Sequence, residues 1–166
     1  MKNSRQLIIV RHGKSSWSHE NVADIDRHLK ERGIHDAYTM AERLKKNSLF
    51  PELVMSSPAA RALHTALIFA RTLKHPFSQL QLQDDFYHGD EQDVLDIIRQ
   101  APDDKNSLMI FGHNPTFTDL ANLFLPDALE KLPTTGMAFI EFETGSWQKI
   151  DKEKVVKTWT DSPKNK

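Results

Sequence analysis

Leu7-Ile8-Ile9-Val10 is an uninterrupted apolar run, and Leu108-Met109-Ile110-Phe111 repeats it later in the chain. Short runs without polar alternation suit strands covered on both faces. Around them the apolar period lengthens to that of a helix. Ile34, Ala37, Ala41 and Leu44 share one helical face, as do Leu63, Ala66, Leu67 and Ala70. Val94, Ile97, Ile98 and Ala101 predict a third helix, and Phe117, Leu120, Ala121 and Phe124 a fourth. Leu53-Val54-Met55 and the Leu80/Leu82 alternation add two shorter strands, with Pro51 and Pro76 as helix stops. Met137 to Glu143 reads as a further strand. Thr144-Gly145-Ser146 then turns it into Trp147-Gln148-Lys149-Ile150 as an antiparallel edge hairpin. Strands alternating with helices imply right-handed crossovers. The expected class is α/β: a three-layer sandwich with a mostly parallel sheet flanked by helices and an antiparallel edge strand near the C-terminus.

A chain of 166 residues suits one domain, expected over residues 1–160, with 161–166 as a frayed tail. A globule of this size buries roughly 70% of its unfolded-chain surface and needs no staple. Lys and Arg number 22 against 23 Asp and Glu, a net charge of -1, which argues against a nucleic-acid-binding module. The apolar runs fall far short of a membrane span or a signal peptide. Cysteine is absent, which removes disulfides, thiolate catalysis and Cys-ligated zinc together. The expected compartment is the cytoplasm.

In parallel sheets of this kind, ligands bind outside the carboxyl ends of the strands. Three strands end there in conspicuous polar sequences: Arg11-His12-Gly13-Lys14, Ser56-Ser57-Pro58-Ala59-Ala60-Arg61 and Gly112-His113-Asn114-Pro115-Thr116. Brought to one edge, they gather Arg11, Arg61, His12, His113 and Lys14 into a cationic pocket inside a nearly neutral protein. Two arginines and two histidines suit a phosphoryl group. The guanidinium fork matches phosphate oxygens, and an imidazole can attack phosphorus while the cations neutralise the oxygens. Gly13 would let the backbone turn sharply or approach a ligand. Pro58 and Pro115 suit the first turns of the helices that follow, whose N-termini favour an anion.

These residues carry a resemblance. Arg11-His12-Gly13 resembles the signature of the histidine phosphatase superfamily, with its phosphoglycerate-mutase-like fold. Ser56-Ser57-Pro58-x-x-Arg61-Ala62-x-x-Thr65-Ala66 is similar to the second motif of that superfamily, and Gly112-His113-Asn114-Pro115 to its second-histidine motif. Arg27-His28-Leu29 with Glu31-Arg32-Gly33 resembles the Arg-Pro-Leu-Thr-x-x-Gly segment of the SixA-like phosphohistidine phosphatases, departing from it at His28 and Lys30. The matches run in order from about residue 6 to 122. The resemblance implies His12 as nucleophile and transient phosphohistidine, with Arg11, Arg61 and His113 on the phosphoryl oxygens. Arg27 becomes an additional phosphate or substrate contact, and Gly13, Lys14 and Asn114 complete the binding set. It implies no metal and no cofactor, with phosphate or sulfate as the expected ligand of the site. Larger relatives carry a Glu proton donor in a long insertion after the second motif. The corresponding stretch here, Asp84 to Glu91, has no clear match, and His88, Asp90 and Glu91 are the candidate donors. A phosphoramidate leaving group is protonated on nitrogen more readily than an alkoxide and depends less on a placed acid.

Blander readings apply elsewhere. His64 reads as helix surface or a supporting residue, and His19, His28, His35 and His75 as solvated. Asp24-x-Asp26 lacks the apolar strand that an aspartyl-phosphate enzyme places before its pair. Gly13-Lys14-Ser15 lacks the P-loop glycine, since Ile8 stands in its place. Trp17, Trp147 and Trp159 read as packing residues rather than a base-stacking platform. The leading expectation is a metal-independent phosphatase hydrolysing phosphohistidine on a protein. The alternatives are a small-molecule phosphomonoesterase of the same fold and a non-catalytic phosphate-binding module. The short chain leaves little room for insertions over the pocket, which favours a side chain displayed on another protein as substrate.

Overall fold

The structure is a computed structural model that describes residues 3–17 and 21–165. One six-stranded sheet organises it. β1 (Arg5–Arg11), β2 (Leu53–Ser56), β3 (Leu80–Leu82) and β4 (Ser107–Gly112) run parallel. β5 (Met137–Phe142) lies antiparallel to β1, and β6 (Val155–Asp161) antiparallel to β5. The spatial order is β3-β2-β4-β1-β5-β6. The helices are α1 (Glu31–Lys46), α2 (Ala60–Thr72), α3 (Asp85–His88), α4 (Glu91–Arg99) and α5 (Thr116–Asn122).

The apolar run of β1 explains the three layers. Leu7 and Ile9 point into one core cluster with Val94, Ile98, Phe117 and Leu120, which come from α4 and α5. Ile8 and Val10 point into the other with Met40, Leu44, Ala66 and Phe69, which come from α1 and α2. Successive strand side chains alternate faces, so an unbroken run feeds both cores.

The C-terminal third keeps the expected strand from Met137 and the antiparallel edge, but the edge strand comes later in the chain than expected. Trp147–Lys149 is a 3-10 turn, not a hairpin strand, and the antiparallel edge is β6. Trp147 and Ile150 are buried while Gln148 and Lys149 are exposed, a spacing of three that one turn satisfies and a strand cannot. The Trp147 ring is fully enclosed and its Nε1 donates to the Lys105 carbonyl at 2.7 Å. Asp161, expected to begin a frayed tail, closes β6 instead. Arg43 of α1 donates to its carboxylate at 3.1 Å and to the Ser162 carbonyl at 2.9 Å. His28 and His35 are exposed, and His19 lies outside the described residues. His75 is buried, not solvated: Lys74 adopts φ 58° after α2 and reverses the chain. Among the described residues no helix is long and apolar enough to cross a membrane.

Candidate active site

Sheet register brings the two histidines together. Val10 pairs with Phe111 and Arg11 with Gly112, so His12 and His113 each follow the last paired residue of neighbouring strands. Their ring centroids lie 5.1 Å apart. β2 flanks β4 on its other side, and Ser57, just past its end, hydrogen-bonds His113 Nε2 through Oγ at 2.8 Å. Arg61 enters from the first turn of α2. A cavity of about 400 Å³ gathers Arg11, His12, Lys14, Arg27, Arg61, His113 and Asn114, with Trp17, Lys30 and Thr134 on its walls.

Local chemistry fixes the state of His12. Its Nδ1 lies 2.7 Å from the Gly13 carbonyl, which can only accept. Nδ1 therefore carries the proton, and Nε2 holds the lone pair. Burial, and then the charges of Arg61, Arg11 and Arg27, push the imidazole down to about 4. Burial and the neighbouring His12 push His113 down to about 3. Both rings are neutral at pH 7. His113 Nδ1 and the Nε groups of Arg11 and Arg61 are buried without a hydrogen-bond partner among the described residues.

Gly13 has a different use from the expected one. Its N–H donates to Thr65 Oγ1 at 3.1 Å, and it does not line the cavity. A side chain there would meet the backbone of Gly33, and one on Gly33 would come within 2.3 Å of the Lys14 carbonyl. The two glycines let α1 pack against the loop after β1. Asn114 lines the cavity, but its amide donates to the Leu132 carbonyl at 2.8 Å and its oxygen accepts from Thr118. Arg11 Nη1 also donates to that carbonyl, at 3.0 Å, so both residues brace the loop before β5. Pro58 precedes α2 by two residues and Pro115 is the N-cap of α5, so neither occupies a first helical turn.

The residue that sequence reading passed over is Asp24. It lies in the 3-10 turn Asp24–Asp26 and joins two of the three arginines of the site, Arg27 and Arg61. Arg61 Nη1 donates to its carbonyl at 2.7 Å and Nη2 to its carboxylate at 3.0 Å. Arg27 Nη1 donates to the other carboxylate oxygen at 2.8 Å. Tyr87 Oη donates to Oδ2 at 2.7 Å, and its ring packs edge-on against His113 at 5.4 Å. The Tyr87 hydrogen bond, followed by those of Arg27 and Arg61, holds the Asp24 carboxyl well below the usual carboxylate range. That same bond raises the Tyr87 phenol. The only advance signal was the run Asp24-x-Asp26-Arg27 in a polar segment, which carries no position in space.

The expected proton donors are elsewhere. Asp90 caps α4, accepting from the N–H groups of Gln92 and Asp93 in a capping box. Glu91 occupies the first turn of the same helix, and His88 packs its ring on Tyr87. None of the three lines the cavity. Trp17, expected to pack, is 76% exposed at the cavity wall, where the Arg27 guanidinium lies 3.3 Å from its ring centroid. His64 is half-buried on α2, outside the cavity.

Residues 7–108 match the histidine phosphatase superfamily (branch 1), which is more than half of the chain. The chain belongs to this superfamily. Within it the chain is SixA-like. Its structure superposes on the SixA protein of Agrobacterium tumefaciens with a TM-score of 0.77 and 26% identity, covering 83% of this chain and 92% of that one. A structure of the protein histidine phosphatase SixA complexed with tungstate superposes with a TM-score of 0.80 at 24% identity, over 96% of this chain and 98% of that one, and shares the fold. An uncharacterized chloroplastic protein of Arabidopsis thaliana is 29% identical over 153 residues, 87% of this chain and 70% of its own length. Superfamily membership and the SixA likeness support a phosphatase hydrolase.

Proposed function

We propose that this phosphatase hydrolyses phosphohistidine on a protein, with His12 as the nucleophile. The observation that carries the reading is the fixed tautomer: the Gly13 carbonyl holds the His12 proton on Nδ1, leaving a neutral Nε2 lone pair among the cations of the cavity. Nε2 attacks phosphorus, a P–N bond to His12 forms, and the P–N bond to the substrate imidazole breaks. The leaving nitrogen takes its proton from solvent. Water then attacks phosphorus, the P–N bond to His12 breaks and returns the lone pair to Nε2, phosphate departs, and the water proton returns to bulk. Arg11, Arg61 and His113 stabilise the charge on the phosphoryl oxygens; the Nε groups of both arginines and His113 Nδ1 have no hydrogen-bond partner among the described residues.

The choice of phosphohistidine over an alkyl phosphate rests on Asp24. Its carboxylate is on Arg27 and Arg61, and Tyr87, Arg27 and Arg61 keep it ionised, so it has no proton for an alkoxide leaving group. An imidazole leaving group can take its proton from solvent and does not require a placed acid. The likeness to SixA proteins points the same way.

The test is turnover of a phosphohistidine protein against a panel of phosphate monoesters, with wild type and a His12→Ala variant. Preferred release from phosphohistidine is expected, with a loss of about 10³-fold or more in the variant. Faster hydrolysis of the monoesters would transfer the reading to a small-molecule phosphomonoesterase. Unchanged turnover in His12→Ala would end both.

A further inference from the structure

Two lysines line the cavity without a part in the scheme above. The loop after β1 and the segment before α1 pair as a short antiparallel ribbon. Lys30 N donates to the Lys14 carbonyl at 2.9 Å, Ser16 N donates to the His28 carbonyl at 2.9 Å, and Ser15 bridges Leu29 between them. This register sets Lys14 directly across from Lys30, and both residues line the cavity that holds His12. Like charges directly opposite one another destabilise a strand pair.

Of the other basic residues of the neighbourhood, Arg11 is held by the neutral Leu132 carbonyl, and three more have carboxylates. Arg27 and Arg61 share Asp24, and Arg32 pairs with Asp36. Among the described residues neither Lys14 nor Lys30 has a carboxylate partner. The ribbon therefore holds, beside the phosphoryl cradle, two ammonium groups without a carboxylate among the described residues. At about 400 Å³ the cavity falls within the range of small-ligand sites, larger than one phosphoryl group requires.

We propose that Lys14 and Lys30 form a second anion subsite, which takes a carboxylate or phosphate that the substrate carries beside the phosphoryl group being transferred. The proposal rests on reading the His12 cavity as a phosphatase site. An ammonium is a compact point charge and imposes no planar fork on its partner. The subsite reads charge rather than shape. On a protein substrate the anion is an acidic side chain flanking the phosphohistidine; on a small substrate it is a second anionic group.

Two matched pairs separate these sources: a phosphohistidine peptide with Glu or Gln beside the phosphoresidue, and phosphoglycerate beside glycerol phosphate. kcat/KM is compared for wild type, Lys14→Gln/Lys30→Gln and Lys14→Arg/Lys30→Arg. Wild type is expected to prefer the acidic member of one pair by about tenfold, the size of one screened charge contact. In the Gln double variant that ratio falls toward one, through KM more than kcat. The Arg double variant, which keeps the charge, retains the preference. Equal rates for both members of both pairs, or a preference that survives in the Gln variant, would overturn the subsite. If none of the four substrates turns over, the phosphatase reading fails on its own. Calorimetry with methylenebisphosphonate against inorganic phosphate then tests the subsite: tighter binding of the bisphosphonate, lost in the Gln variant, upholds it, and equal binding refutes it.

Discussion

Arg5 and Arg61 are both buried arginines, one at each end of the sheet, and they are held by different kinds of acceptor. Arg5, at the start of β1, is fully enclosed. It donates to the carbonyls of Ser4, Asp103 and Gly145 at 2.6–2.9 Å and to the Asn106 side chain at 2.9 Å. Neutral main-chain oxygens from two loops and from the segment before β1 converge on it, and they move only if those segments do. Arg61 is similarly buried, yet its fork meets the carbonyl and carboxylate of Asp24, whose side chain is 49% exposed on a short 3-10 turn. Two guanidinium groups of similar burial thus serve different ends. One joins loops, and the other is held in a cavity by a charged side chain at the solvent boundary.

The strongest way to break this contrast is to remove each arginine in turn. Arg61→Ala is expected to lower kcat/KM by about 10²–10³-fold, the usual cost of one donor to a developing charge, with a small change in melting temperature. Turnover and thermal melts on the same preparation would check it; a large drop in melting temperature without loss of turnover would reverse the assignment. Arg5→Met is expected to do the opposite. Stranding several buried carbonyls costs on the order of 3 kcal/mol, or roughly 6–12 °C in a chain of this length. The folded fraction should keep its turnover.

Acid sharpens the contrast further. His12 and His113 are depressed to about 4 and about 3 in the folded protein, against about 6.5 in an unfolded chain. Below pH 6.5 the unfolded state binds protons that the folded state refuses, so stability is full above that value and declines as pH falls toward 4. Denaturant titrations at pH 7.5 and 4.5 should show the decline in wild type and in Arg5→Met, and a smaller one in His12→Asn. An equal slope in His12→Asn would show that the depression does not arise at this site. The smallest effect belongs to Asp90→Ala. Loss of its cap should cost about 1 kcal/mol, or roughly 2–4 °C, with turnover retained; a collapse of turnover would return Asp90 to the list of proton donors.

Much of this site was legible because its residues lie where strands end. An unbroken apolar run marks a strand, the polar residues after it fall at the sheet edge, and His12, Arg61 and His113 could be gathered on that rule alone. Asp24 and Tyr87 could not. They lie in segments without strand or helix periodicity, and their pairing spans 63 positions of sequence. The hairpin error has a similar origin: Trp147 and Ile150 are spaced for a turn, but a short apolar pair fits either reading until the core that encloses it is known. Asp90 invited a catalytic role by its position after the second motif, while the same carboxylate, followed by Asp93, equally spells a capping box.

The amino-acid order by itself determined the α/β class, the chemistry of the strand ends and the family to which the chain belongs. These follow from local periodicity and from short motifs whose residues are near one another in sequence. Tertiary structure alone decided the protonated nitrogen of His12, the ionised state of Asp24, the structural use of Gly13 and the opposition of Lys14 and Lys30. Each depends on a distance of a few ångströms between groups that register, not sequence proximity, brings together, and on the burial that makes such distances count.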